Sequence, residues 1–101
     1  PPPSRSIDEK KIEVEFTRSF ETNLQKIPLE LESKCRQAIE QFLDCYLTKQ
    51  FPKGLRVHKC GPFLSLSLTM NHRIFVLAIL GGVKFVFIGT HEDAERYLRK
   101  N

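Results

Sequence analysis

Apolar residues recur along this chain first with a helical period and then with a strand period. A short alternation of apolar and polar residues at 12–16 predicts a half-buried strand. Thr17 suits the N-cap of a helix, because apolar residues follow it at steps of three and four. Pro28 is tolerated only in a first helical turn, so it predicts a second helix, of about 18–20 residues, that ends near Tyr46. Two helices joined at a proline predict an αα-hairpin.

The second half of the chain has the alternation typical of β-strands. Residues 55–59 predict a strand with its basic side chains on one face, and residues 64–70 give the clearest alternation in the sequence. Asn71-His72 predicts a turn into the apolar run 74–80. Gly81-Gly82 then predicts a two-residue hairpin turn into a strand at 83–88.

The end of the chain predicts one more helix. Thr90, with Asp93 three residues later, is similar to a capping box that begins a short helix. The element order predicts an α+β fold: an N-terminal strand and an αα-hairpin packed on one face of a mostly antiparallel four- to five-stranded sheet, and a short C-terminal helix. The polar, proline-led residues 1–11 predict a flexible arm, which leaves 12–101 as a single domain.

The charge distribution changes the picture more than the net charge of +4 suggests. Residues 45–91 contain six Lys or Arg, all three His and no Asp or Glu. A surface of this composition is a candidate for binding a polyanion. No apolar run reaches the ~20 residues that span a bilayer, so no membrane partner is expected.

The three cysteines cannot all pair within one chain. Cys35 and Cys45 lie ten residues apart on a predicted helix, which separates them by about 15 Å and excludes a disulfide. Reduced thiols predict a cytoplasmic protein. His58 and Cys60 form an H-x-C spacing that does not recur in zinc sites, so no metal is expected.

Three segments resemble the RelE/ParE toxin superfamily. They are FPKGLRVHK at 51–59, the strand pair 65–75 with its Asn-His-Arg, and 87–93, where Gly-Thr-His is followed by acidic residues. Their order and spacing extend the resemblance over 12–98. It implies a toxin of a type II toxin–antitoxin pair, with an acidic antitoxin as partner. RelE-like members cleave mRNA on the ribosome, whereas ParE-like members bind DNA gyrase, and the Gly-Thr-His segment favours the RelE/YafQ branch.

The resemblance also implies roles for individual residues in metal-independent RNA cleavage, which requires no cofactor. Arg73 would stabilise the transition-state charge, and His58 and His91 would share the acid and base roles. Three further cations would hold the RNA backbone: Lys53, Arg56 and Lys59. Each of these residues is also compatible with a solvent-exposed charge that has no part in catalysis.

One position departs from the family pattern. Family nucleases commonly carry an aromatic residue four positions after the Gly-Thr-His histidine, where this chain has Glu95. The nearest aromatic is Tyr97, which is turned by about 200° around a helix relative to Glu95. Both are therefore auxiliary candidates only. The departure leaves two alternatives open: a non-catalytic, ParE-like gyrase-binding toxin, or a catalytically degenerate homologue that binds an antitoxin.

Overall fold

The computed structural model describes residues 12–48 and 50–100. Within them the chain forms five strands and three α-helices, with a 3₁₀ turn at Lys53–Leu55. In chain order they are β1 (Glu13–Phe16), α1 (Arg18–Leu24), α2 (Leu29–Tyr46), β2 (His58–Cys60), β3 (Phe63–Thr69), β4 (His72–Ile79), β5 (Gly82–Thr90) and α3 (His91–Lys100). The predicted α+β class and element order are confirmed, while the predicted arm at 1–11 lies outside the described residues.

The strands form one sheet in the order β1-β5-β4-β3-β2. β2, β3, β4 and β5 pair antiparallel, and β1 adds to the edge of β5 in parallel, with Glu13 opposite Gly82. The two nearly continuous apolar strands, β4 and β5, are central, as expected for strands that are covered on both faces.

Local capping sets where the two N-terminal helices begin. The Thr17 hydroxyl accepts a hydrogen bond from the Phe20 N–H at 3.0 Å, and Pro28 is the N-cap of α2. α2 buries Cys35 and Phe42 against the sheet. Burial, reinforced by the nearby Glu32 carboxylate, raises the pKa of the Cys35 thiol to about 11. The thiol therefore stays protonated and packs as a small apolar side chain.

Alternation along the strands produces an apolar core on each face of the sheet. The first core lies under α1 and α2 and includes Phe20, Phe42, Leu66, Ile74 and Phe85. The second core lies under α3 and consists of Phe63, Phe75, Val86, Phe87 and Ala94, with Leu77, Tyr97 and Leu98 packed against it. None of the helices in the described residues is long and apolar enough to cross a membrane.

The strand predicted at 55–59 is shorter than expected. β2 begins at His58, because Arg56 caps the preceding 3₁₀ turn with φ 50° and ψ 62°, in the left-handed region. Period-two alternation does not pass through a left-handed residue, so the predicted sharing of one strand face by Arg56 and His58 is wrong.

Both predicted hairpin turns are displaced by one residue. The turns lie at Met70-Asn71 and Leu80-Gly81, so that His72 and Gly82 belong to strands. In the second turn only Gly81 adopts a positive φ, at 82°. Gly82 instead lies where β1 approaches β5, and this contact requires glycine for a different reason.

We expect Gly82→Ala to lower the free energy of unfolding by about 1–3 kcal/mol, because a Cβ on Gly82 would overlap the carbonyl oxygen of Glu13. The obstacle is backbone, so β1 as a whole has to move. Urea unfolding followed by far-UV circular dichroism measures the effect.

Gly54→Ala is the matched control. A Cβ on Gly54 meets no atom within 4 Å, and Gly54 does not have a positive φ. Its free energy of unfolding should stay level or rise by up to about 1 kcal/mol. An equal decrease in the free energy of unfolding in the two variants would show that there is room for a Cβ between Gly82 and β1.

Candidate active site

Arg73 is the second residue of β4, near one end of the sheet. Its pairing places it opposite Ser67 on β3 and opposite Gly89 on β5. The guanidinium Nη1 donates a hydrogen bond to Ser67 Oγ at 3.4 Å. The Phe87 ring occupies the space next to Gly89, because a Cβ on Gly89 would come within 2.8 Å of that ring.

His91 is brought to Arg73 by the direct passage of β5 into α3. The His91 backbone N–H donates to the Asn71 carbonyl at 2.7 Å, which ties the first residue of α3 to the β3–β4 turn. The predicted cap is confirmed, since Thr90 Oγ1 accepts from the Asp93 N–H at 3.1 Å. In this position the His91 Nδ1 accepts a hydrogen bond from Arg73 Nε at 3.1 Å.

Glu95 completes a chain of hydrogen bonds through the imidazole. Its Oε2 lies 3.2 Å from His91 Nε2, one helical turn along α3. Arginine always donates, so Nδ1 must be the unprotonated nitrogen, and the Nε2–H donates a hydrogen bond to the Glu95 carboxylate. The contacts therefore define one tautomer of a neutral His91, held between a guanidinium and a carboxylate.

The site is open to solvent. The side chains of His91 and Glu95 are 49% and 57% exposed. Exposed ion pairs contribute little to stability, so these contacts act mainly by orienting the groups. Among the described residues Arg73 Nη2 has no hydrogen-bond partner, and it is available to an incoming anion.

His58 lies on the same face of the sheet, two strands away from Arg73. It pairs with Ser65, which pairs with Phe75, and cross-strand partners share a face. Strand spacing and rise place the Cα atoms of His58 and Arg73 about 12 Å apart. His58 is exposed and does not contact Arg73.

The three predicted backbone-binding cations are divided between two places. Lys53 is the first residue of the 3₁₀ turn that leads into β2, and Arg56 is the C-cap of the same turn. Lys59 pairs with Leu64, which packs against the first core, so Lys59 points to the opposite face from Arg73. The structure does not bring Lys59 to the site.

Tyr97 is part of the second core. Its ring stacks on Phe87 with centroids 4.9 Å apart and also packs against Phe63 and Phe75. Burial raises the pKa of the Tyr97 hydroxyl. Of the two auxiliary candidates, Glu95 therefore lies in the site, and the Tyr97 ring anchors α3 to the sheet.

Sequence reasoning missed Ser67. The signal was present, because Ser65 and Ser67 are the polar positions of the clearest strand alternation. The short turn pairs Thr69 with His72, and a register shift between Ser67 and Thr69 then places Ser67 opposite Arg73. The predicted turn at Asn71-His72 would instead place Val76 opposite Ser67, so the pair was hidden.

Several solved structures with a similar fold are toxins or toxin–antitoxin complexes. The fold is similar to a YafQ variant from E. coli, with 9% sequence identity, a TM-score of 0.68, and 83% of this chain and 98% of that chain covered. The present chain has the fold of the RelE and YafQ toxins. A mutant toxin from Helicobacter pylori, solved with copper bound, matches at 15% identity and a TM-score of 0.66, over 82% of this chain and 98% of that one.

A RelB–RelE antitoxin–toxin complex from Methanococcus jannaschii gives a third match to this RelE/YafQ fold. It has 15% identity and a TM-score of 0.63, and the match covers 82% of this chain and 96% of that chain. No protein-family model and no curated protein matches the sequence. The predicted fold is thus confirmed by structural likeness, at identities at which the fold alone is shared.

Proposed function

We propose that this protein is the toxin of a type II toxin–antitoxin pair and cleaves mRNA on the ribosome as a metal-independent endoribonuclease. The observation that carries the proposal is the hydrogen bond between Arg73 Nε and His91 Nδ1. It places a permanent cation directly beside a group that can take a proton, and both lie on the exposed end of the sheet. RNA cleavage through the 2′-hydroxyl needs this combination.

The proposed reaction begins when a phosphate of the RNA backbone binds the Arg73 guanidinium. Competition from this anion frees His91 Nδ1, which accepts the proton of the 2′-hydroxyl as the 2′-oxygen attacks phosphorus. Glu95 then stabilises the imidazolium through its contact with Nε2. Arg73 neutralises the charge that develops on the phosphorane oxygens. His58 donates a proton to the leaving 5′-oxygen, and a 2′,3′-cyclic phosphate remains.

Three cations that lie away from Arg73 and His91 are suited to binding the RNA backbone. Lys53 and Arg56 extend the positive surface beyond β2, and no carboxylate occurs between residues 45 and 91 to oppose it. Lys59 on the opposite face would contact a second stretch of RNA or the ribosome. A cytoplasmic location follows from this substrate.

An antitoxin is the proposed protein partner. Three of the solved structures with this fold are complexes of a toxin with its antitoxin, one of RelB–RelE and two of DinJ–YafQ. An acidic segment would neutralise the cations on the sheet and would occlude Arg73 and His91 until it is removed.

A second candidate function follows from Glu95. A carboxylate stands where RNA-cleaving relatives commonly carry an aromatic ring, and the imidazole is exposed rather than enclosed. These features suit a toxin that binds DNA gyrase without cleaving RNA, or a degenerate homologue that only binds an antitoxin.

The experiment that separates these functions incubates the purified full chain with ribosomes programmed with a defined mRNA, and maps cuts by primer extension. In parallel, the protein is added to a DNA gyrase supercoiling assay. Cuts that depend on the protein support the nuclease. Intact mRNA together with inhibited supercoiling would overturn it in favour of the gyrase-binding toxin, and no effect in either assay would point to the degenerate homologue.

Whether Glu95→Gln slows or speeds mRNA cleavage tests the proposed role of this carboxylate. The amide oxygen still accepts from His91 Nε2 but cannot stabilise an imidazolium, so we expect cleavage to slow by about tenfold to a hundredfold. Single-turnover cleavage rates measure the change. Faster cleavage by this variant would mean that Glu95 merely repels RNA.

A further inference from the structure

A groove of ≈ 600 Å³ runs along the exposed edge of β5 and reaches His72 at the start of β4; Arg73 is not among the residues that line it. One wall is the connection between α1 and α2, and the other is α3. Its floor is formed by four consecutive β5 residues, Phe87, Ile88, Gly89 and Thr90. A sheet face contributes every second residue of a strand, whereas four in succession mean that the groove follows the strand edge.

This edge is open because β1 covers only half of β5. The pairing of β1 ends at Phe16 opposite Phe85. Thr17 makes the last contacts, from its N–H to the Phe85 carbonyl at 3.1 Å and from Oγ1 to the Val86 carbonyl at 3.5 Å. The chain then turns away into α1.

The backbone groups at the open edge can be assigned from the ladder. The His91 N–H donates to the Asn71 carbonyl, on the β4 side. Strand alternation then directs Gly89 toward β4 and Ile88 toward the groove. Among the described residues no backbone group pairs with the N–H and C=O of Ile88, which leaves a donor and an acceptor ready for another strand.

The rim of the groove is positive. Lys26 stands on the first wall and Lys100 on the second, and neither forms an ion pair within the described part of the chain. Arg96 is partly neutralised by Asp93, at 2.9 Å. An occupant with negative side chains would be favoured over a neutral or basic one.

We propose that this groove binds an acidic, extended polypeptide segment, which adds to the free edge of β5 as a further strand. Residues 86–90 span about 16 Å, enough for a segment of roughly five residues. Its backbone would pair with Ile88, and its acidic side chains would lie against Lys26 and Lys100. Strand addition of this kind takes affinity from backbone hydrogen bonds and specificity from the side chains.

A polypeptide suits this edge better than RNA does, because a nucleotide backbone has no alternating N–H and C=O groups to match Ile88. The lining does not include Arg73, His91 or Glu95, so the groove can be altered without changing a residue of the proposed cleavage site. Where the acidic segment belongs to the antitoxin, the inference rests on the proposed function, but the groove can be tested without it.

The test uses the full chain, labelled with ¹⁵N, and a soluble eight-residue peptide that alternates Glu with Thr. Titration should shift the amide signals of Ile88 and Thr90. The same peptide with every backbone nitrogen methylated keeps its charges but loses its donors, and it should not produce these shifts. A peptide that alternates Lys with Thr should bind at least about tenfold more weakly.

The charge-reversal variant Lys26→Glu/Lys100→Glu should weaken binding of the Glu peptide by about tenfold, whereas Lys34→Glu, on the exposed side of α2, should change it less than twofold. Ribosomal mRNA cleavage should be unchanged in the double variant, so a failure of the groove is distinguishable from a failure of the nuclease. Equal binding of the methylated peptide, or shifts centred on Arg73 instead of Ile88, would overturn the proposal.

Discussion

Arg73→Ala is expected to slow ribosomal mRNA cleavage by about 10²–10³-fold, the loss that follows removal of one preorganised group from a charged transition state. Arg73 is suited to this role because two of its donors are already engaged, Nε with His91 and Nη1 with Ser67. The guanidinium is thus held in one orientation before RNA binds, and Nη2 is left to meet the phosphate. Single-turnover cleavage of a defined mRNA measures the loss.

Arg73→Lys separates orientation from charge. Lysine keeps the positive charge but has no Nε–H in a fixed plane, so it cannot donate to His91 Nδ1 and bind a phosphate with the same geometry. We expect its cleavage rate to fall between those of the wild type and Arg73→Ala. Lys34→Ala removes an equal charge from the exposed side of α2 and should leave cleavage unchanged.

The Arg73 experiment also has a clear negative outcome. A folded Arg73→Ala protein that cleaves as fast as the wild type would remove the guanidinium from the mechanism. The assignment of the site to the end of β4 would then fail, even though the fold would stand.

Local patterns made much of the fold predictable. The Thr17 cap, the proline that begins α2 and the alternation of β3 each depend on a few neighbouring residues, and the structure reproduces all three. The boundary of β2 was not predictable in this way. Arg56 adopts a left-handed conformation at the end of the 3₁₀ turn, and arginine is not a residue type that signals this conformation.

The contact between Arg73 and His91 depends on the pairing register of β4 with β5, which could not be predicted from the sequence. A two-residue turn at Gly81-Gly82 would pair Arg73 with Thr90. The observed turn at Leu80-Gly81 moves the partner of each β4 residue two positions back along β5. The extra residue Val86, a β-bulge in β5, then moves it one position forward, so that Arg73 pairs with Gly89. A slip of one residue turns every side chain to the other face. The residue types of the site were therefore predictable, while their geometry required the structure.

Phe85→Ala is expected to lower the free energy of unfolding by about 3–5 kcal/mol. Phe85 is fully buried, and its ring joins three other elements through Phe16 of β1, Phe20 of α1 and Phe42 of α2, at centroid distances of 5.1, 5.8 and 6.1 Å. These elements cannot all close over the space left by alanine, so a cavity remains. Domains of this size have a total stability of about 5–15 kcal/mol, so the variant would be near its limit at physiological temperature.

Phe16→Ala is the matched control, because Phe16 stacks on Phe85 but is 43% exposed at the edge of the sheet. It should cost only about 1 kcal/mol, and the double variant should show a coupling of about 0.5–1.5 kcal/mol between the two rings. Urea unfolding followed by circular dichroism suits both variants, since the chain contains no tryptophan. A loss below about 1 kcal/mol for Phe85→Ala would mean that the first core repacks around the cavity.

Phe85 and Arg73 lie on opposite faces of the sheet, and this separates stability from activity. Phe85 pairs with Val76 in the first core, whereas Arg73 shares its face with Phe75 and α3. The Phe85→Ala protein should therefore cleave mRNA at the wild-type rate at a temperature where it is folded. The Arg73→Ala protein should have nearly the wild-type urea midpoint of unfolding but should cleave poorly. Loss of cleavage in folded Phe85→Ala would show instead that the packing under α1 and α2 controls the position of Arg73 through the sheet.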